Sequence, residues 1–191
     1  MRIKTGLKKI WHFIWEDDSI LSWLVNIVLA FILVKFIIYP GLGLALGTTH
    51  PVVAVVSSSM EHEVEGFDFW WYSNKDFYIK KEIKKEDFEK YKFKNGFNKG
   101  DLMVLKKAKE IKKGDIIVFR GDAKEPIIHR VVDVSNATYQ TKGDNGKTNK
   151  QSRPDEIEIT EDRLVGKAIF RVPYLGWIKL IFVEVINEAL R

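Results

Sequence analysis

Residues 114–134 read GDIIVFRGDAKEPIIHRVVDV. Two β-branched apolar runs stand here, IIVF and IIHRVVDV, each bounded by glycine, aspartate or proline. Short runs of this kind read as β-strands. Successive side chains of a strand point to opposite faces. Ile127, His129 and Val131 therefore share one face, and Ile128, Arg130 and Val132 the other. One polar residue points each way. An unpaired buried polar group is costly, so this strand asks for a partner on both sides.

The same pattern extends outward. Gly100-Asp101 precedes LMVL just as Gly114-Asp115 precedes IIVF. VVAVV, after Pro51, reads as a buried strand that delivers the chain to Ser57-Ser58-Ser59-Met60. Asp144-Asn145-Gly146 carries the signature of a hairpin turn. Close spacing of such runs predicts a β-rich domain over residues 40–172. Within it, residues 61–96 differ. Phe67, Phe69, Trp70, Trp71 and Tyr72 precede KKEIKKEDFEKYKFK, whose acids and lysines suit helical pairing. Two expectations follow: an insertion with its own small aromatic core, or Trp70 and Trp71 at a membrane interface. Residues 173–191 predict an amphipathic helix, lying in a membrane interface or packed on the domain.

Residues 20–39 read ILSWLVNIVLAFILVKFIIY. At about 1.5 Å per helical residue, roughly twenty apolar residues span a bilayer core. Lys35 lies near one end, where its stem carries the ammonium toward headgroups. Trp23 and Tyr39 mark the two ends. Arg2, Lys4, Lys8 and Lys9 precede the run, and after Tyr39 no Lys or Arg occurs before Lys75. Positive charge stays on the cytoplasmic side, so residues 1–19 are expected inside and the domain outside, or in the lumen of a eukaryotic compartment. A cleavable signal peptide, with Gly43 and Ala45 as small residues, is the plainer alternative. The long apolar run and long charged leader speak against it. A buried core helix is the other alternative, and apolar residues on all faces are read against it.

The 191 residues are 46% hydrophobic and 30% charged, with a formal net charge of +5. That mixture suits a globular domain with an anchor. A basic balance points to nucleic acid or an anionic membrane surface. Here the basic residues are spread among acids, so no nucleic-acid stripe is indicated. Cysteine is absent, which excludes disulfides and thiol chemistry. With no cysteine and four histidines at no ligand spacing, no metal site is expected. Phosphate-binding glycine motifs are absent too, and no cofactor is expected.

Hydrolysis by a serine needs a hydroxyl, a base and oxyanion donors. Ser59 lies just past a buried strand. His12 lies on the cytoplasmic side of the anchor, and His50 and His62 flank the serine run. His129 sits within a strand. The carboxylates stay open on the residues alone: Asp144 in a turn, Asp155 after Pro154, and Asp101, Asp115 and Asp133 at strand ends.

Read together, the pieces resemble type I signal peptidases of the archaeal and endoplasmic-reticulum branch. After an anchor come VSSSM (56–60), close to the family's S-G-S-M, then FNKGDL (97–102), KKGDIIVF (112–119), IIHRVV (127–132), TKGDN (141–145) and LVGK (164–167). The likeness covers residues from about 20 to 178. Bacterial relatives carry a lysine base where this strand has His129, which decides the branch. The resemblance implies a mostly antiparallel β fold and removal of signal peptides after small-x-small sites. It implies Ser59 as nucleophile and His129 as general base, with Ser57 and Met60 beside the oxyanion and substrate. The family's second aspartate, usually six residues after that of K-G-D-N, falls on Lys150. Counting back from Gly166 maps it onto Asp155, with Asp144 the alternative for orienting His129. The expected partners are signal peptides, the lipid bilayer and other signal peptidase or secretion-machinery subunits, and no nucleic acid. The alternative function is an inactive, anchored β module that binds substrate or serves as a scaffold.

Overall fold

The computed structural model describes residues 2–62, 66–123 and 125–189. The chain divides into two compact units, residues 1–45 and 46–191.

In the first unit, helix α1 spans Arg2–Trp15 and α2 spans Ile20–Leu33. Ser19 caps α2 by accepting the Ser22 N–H, which satisfies one of the free donors of a helix start. The helix continues through a π turn at Val34–Ile38 into α3, Tyr39–Leu46. Pro40 has no N–H to donate, and the turn before it widens, with the Tyr39 N–H reaching Val34. The apolar helix thus runs past the expected Tyr39 to Leu46, and its 27 residues are long and apolar enough to cross a membrane.

The second unit is built on one antiparallel sheet of six strands in the order β1-β2-β6-β3-β4-β5. The strands are β1 (Val52–Ala54), β2 (Leu102–Lys106), β3 (Ile116–Phe119), β4 (Ile127–Ser135), β5 (Thr138–Lys142) and β6 (Leu164–Val172). The Gly-Asp pairs before β2 and β3 have a common geometry. Gly100 and Gly114 hold φ of 87° and 92°, a conformation that favours glycine. The aspartate that follows accepts the N–H three residues back, Asn98 to Asp101 and Lys112 to Asp115, each at 2.8 Å. Those carboxylates also pair with Arg171 and Lys167. They are turn and sheet anchors.

Both faces of the sheet are covered, as the alternation of β4 predicts. Ile128 packs with Val55, Met60, Met103, Leu105 and Val118 on one side. Ile127 and Val131 pack with Ile117, Phe119 and Ile159 on the other. Val132 meets a third cluster, formed by α4 (Phe67–Lys80) and α5 (Lys85–Phe88). Trp70 and Trp71 lie in that cluster at 2% and 3% exposure, so the reading that puts them at a membrane interface is corrected. Their rings pack against Tyr78 and Phe88, mostly in tilted pairs, where buried aromatic area stabilises most. Helix α6, Trp177–Ala189, leaves Ile178, Ile181 and Val185 exposed.

The hairpin is not where the sequence signal stands. β4 and β5 are joined at Asn136-Ala137, with φ of 47° and 62°. Positive φ at both central residues is the type I′ geometry that suits the twist of paired strands. Ala137 adopts it against its own preference, so no Asn-Gly signal marks it. Asp144-Asn145-Gly146 instead follows β5 as a side-chain-braced turn, with Asn145 Oδ1 accepting the N–H groups of Lys147 and Thr148.

Ala137→Gly is expected to raise stability by about 0.5–1 kcal/mol, since glycine takes positive φ without strain. Chemical denaturation of the two proteins measures it, and an unchanged or lower midpoint contradicts the strain at this turn.

Candidate active site

β4 carries the two polar residues that the alternation sends to opposite faces. Each finds a carboxylate. His129, 4% exposed, hydrogen-bonds through Nδ1 to Glu156 Oε1. Arg130, fully buried, forms a forked pair with Asp144, Nε to Oδ1 at 2.9 Å and Nη2 to Oδ2 at 2.5 Å. Its remaining N–H groups go to the carbonyls of Lys92, Gly114 and Phe93. All five donors of the guanidinium are engaged.

Glu156 ends a 3₁₀ turn, Pro154–Glu156. Its Oε2 accepts the Arg153 N–H at 2.7 Å, the reach-back of a third-position glutamate to a helix start. Oε1 is left for His129. Asp155 points elsewhere: its Oδ2 accepts from Asp122 N–H at 3.1 Å and from Arg153 Nη2 at 3.2 Å. Side chains one step apart on a 3₁₀ turn diverge by about 120°, so only one of the two carboxylates faces the ring. The expectation that Asp155 contacts His129 is corrected to Glu156. The alternative, Asp144, is committed to Arg130. Asp133 pairs with Lys81 and Lys113.

The serine segment docks on the turn after β5. Asn145 donates its backbone N–H to the Ser59 carbonyl at 2.9 Å and its side-chain amide to the Ser58 carbonyl at 3.1 Å. Gly143 lies so close that a Cβ there would stand 2.6 Å from the Ser59 oxygen. Because Arg130 pairs with Lys142 across the sheet, this turn begins one register step from His129. Ser59 is half-buried, and its Oγ lies 3.0 Å from Ser57 Oγ. No hydrogen bond joins Ser59 to His129 among the described residues. Met60 is fully buried, with Sδ accepting the Asp144 N–H, so its side chain is packed into the core and not presented to a substrate.

Several contributors were given no role by the sequence. His62 stacks on Trp70 at 3.8 Å between ring centres, with Nε2 3.5 Å from Asp144 Oδ2, at the limit of a hydrogen bond. Tyr78 donates to Asp144 Oδ1 at 3.1 Å. Burial alone would raise the Asp144 carboxyl, but the Arg130 charge and the hydrogen bonds around it hold it well below the usual range. Burial, then the Asp144 charge, pushes the Tyr78 phenol well above its ordinary value, so it stays a donor. Lys142, 1% exposed, donates to the Gly143 carbonyl at 2.7 Å and lies over the rings of Phe77 and Tyr78. Burial lowers its ammonium to about 8 despite the nearby charges of Asp144 and Glu156. Among the described residues no cluster of side chains suits a metal ion.

Lys142 generates a test. A base whose folded pKa lies below its unfolded one destabilises the fold while charged, and that penalty is relieved as pH rises from the folded toward the unfolded value. Stability is therefore expected to rise by about 2 kcal/mol between pH 8 and pH 10 relative to Lys142→Met, which lacks the charge. Parallel pH profiles of the two unfolding midpoints contradict this.

No family model matches the chain. Over 154 residues it is 27% identical to the signal peptidase complex catalytic subunit SEC11C of Homo sapiens, covering 75% of this chain and 63% of that protein. The signal peptidase complex catalytic subunit SEC11 of Colletotrichum graminicola is 25% identical over 159 residues, 78% of this chain and 73% of that protein. Signal peptidase I W of Bacillus subtilis is 41% identical over 56 residues, 26% of this chain and 30% of that protein. The chain spans a little under two thirds of the length of the SEC11C relatives. The chain is thus similar to eukaryotic signal peptidase complex catalytic subunits over most of its length, and to a bacterial signal peptidase I over a shorter stretch.

Proposed function

We propose that this protein is a membrane-anchored serine endopeptidase that removes signal peptides from preproteins after small-x-small sites. One observation carries the reading: a buried histidine–carboxylate pair, His129 with Glu156, stands one register step from the turn that holds Ser59. The relatives named as signal peptidases support the same conclusion.

In this reading Ser59 is the nucleophile and His129 its general base. Glu156 accepts the Nδ1 proton, which fixes the tautomer, leaves Nε2 to take the hydroxyl proton and stabilises the imidazolium. The Ser59 hydroxyl turns from Ser57 toward the ring when substrate arrives, since catalytic hydrogen bonds commonly tighten only in the complex. The Ser59 backbone N–H and the Ser57 hydroxyl serve the oxyanion. His129 returns the proton to the leaving amine, and water, activated by the same base, releases the acyl group. An extended substrate adds along a strand edge, where only small side chains enter the pockets.

The apolar helix Ile20–Leu46 anchors the peptidase, with residues 1–19 cytoplasmic and the sheet on the outer side. A preprotein's apolar segment then arrives already embedded in the bilayer, and further signal peptidase or secretion-machinery subunits are its natural partners. The absence of a Ser59–His129 hydrogen bond favours one alternative, an inactive β module that binds substrate.

Cleavage of a model preprotein in detergent or lipid decides. Ser59→Ala and His129→Ala are expected to abolish cutting. Glu156→Gln is expected to reduce kcat by about 10²–10⁴-fold. Asp155→Ala is expected to keep most of it. A folded parent that neither cuts nor acylates at Ser59 supports the scaffolding alternative, and a severe loss in Asp155→Ala returns the orienting role to that residue.

A further inference from the structure

The insertion at 61–96 supplies no nucleophile, base or carboxylate to the mechanism above, yet it reaches the site. Trp70 donates its indole N–H to the Asp144 carbonyl at 3.0 Å. Tyr78, two helical turns on, donates to the Asp144 carboxylate. Phe88 of α5 lies under the Arg130 guanidinium at 4.6 Å. Asn74 of α4 donates to the Trp70 carbonyl, and the missing Cβ of Gly146 lets that side chain close on the turn. The carbonyl and side chain of Asp144 are thus both held from the insertion, while Asn145, the next residue, holds the Ser58 and Ser59 carbonyls.

We infer that α4 and α5 are a clamp on the nucleophile, in which Trp70 and Tyr78 are positioning residues for Ser59 acting through the Gly143–Asn145 turn. The inference rests on the peptidase reading. Neither side chain touches Ser59. Each fixes Asp144, whose carboxylate joins the turn to Arg130 on the strand of His129. The nucleophile segment and the base strand are thereby referenced to one buried group. A misplacement of about 1 Å at a reacting atom is enough to slow catalysis about 10²-fold, so a second support for the turn has a kinetic consequence.

Trp70→Phe and Tyr78→Phe each remove one hydrogen-bond donor and keep the aromatic packing. Phe67→Leu is the control, since Phe67 packs on Trp70, Trp71 and Phe88. Steady-state cleavage of a model preprotein, corrected for folded fraction, is expected to show kcat down about tenfold in Trp70→Phe and Tyr78→Phe, with KM within about twofold. Phe67→Leu is expected to lower the melting temperature with kcat unchanged. Amide hydrogen exchange at Asn145, whose N–H holds the Ser59 carbonyl, gives a readout independent of activity. It is expected to quicken in the Trp70 and Tyr78 variants alone. Unchanged exchange in both variants overturns the clamp. Faster exchange with unchanged kcat overturns the positioning role. A parent whose Ser59 resists an acylating probe counts against the peptidase reading instead, and the exchange data still decide whether the insertion holds the turn.

Discussion

The buried pair of Arg130 and Asp144 is the contact on which the rest of this site depends. Two charges taken out of water are stable only when geometry and further hydrogen bonds compensate their lost hydration. Here the fork geometry is complete, and the remaining lone pairs and donors are met by Tyr78 and by the Lys92, Phe93 and Gly114 carbonyls. Removing either partner strands the other, an effect of about 3–5 kcal/mol in comparable pairs. The pair fixes more than stability. Arg130 belongs to the strand of His129, and Asp144 to the turn that carries the serine segment. One ion pair therefore joins the strand of His129 to the turn that holds the Ser59 segment.

On the opposite face of the same strand, His129 repeats the logic with Glu156. A pairing of arginine with aspartate locks structure, because neither group changes charge near neutral pH. Period-two alternation thus sends one polar pair to each face of the sheet. Adjacent residues hold separate carboxylates, with no shared ligand.

Much of this was legible in the residues. Strands β1 to β4, the polar split at His129 and Arg130 and the aromatic character of 61–96 follow from periodicity and turn chemistry, while the motif order rests on the family resemblance. Three features were not. The carboxylate on His129 is Glu156 because a short 3₁₀ turn shifts the facing position by one residue, and counting along a loop does not reveal a turn's handedness. The run RPDE did carry a clue, since proline first and glutamate third mark a helix start whose glutamate reaches back. The hairpin at Asn136-Ala137 lacks the glycine that advertises such turns, so the stronger Asp-Asn-Gly signal drew the assignment. By type Trp70 and Trp71 suit either a small aromatic core or a membrane interface, and tertiary packing decides for the core.

The clamp also bears on when the site comes into being. The β4–β5 hairpin closes locally, but the Trp70 and Tyr78 hydrogen bonds to Asp144 join residues 74 and 66 positions apart. Closing long loops is slow relative to local pairing. The pairing of Leu102 with Val172 closes a loop of similar length, so the hairpin is expected to form first, and the centre of the sheet and the insertion later. Ser58 is synthesised 87 residues ahead of Asn145, the residue that receives it, so the serine segment waits for the chain to close back on it.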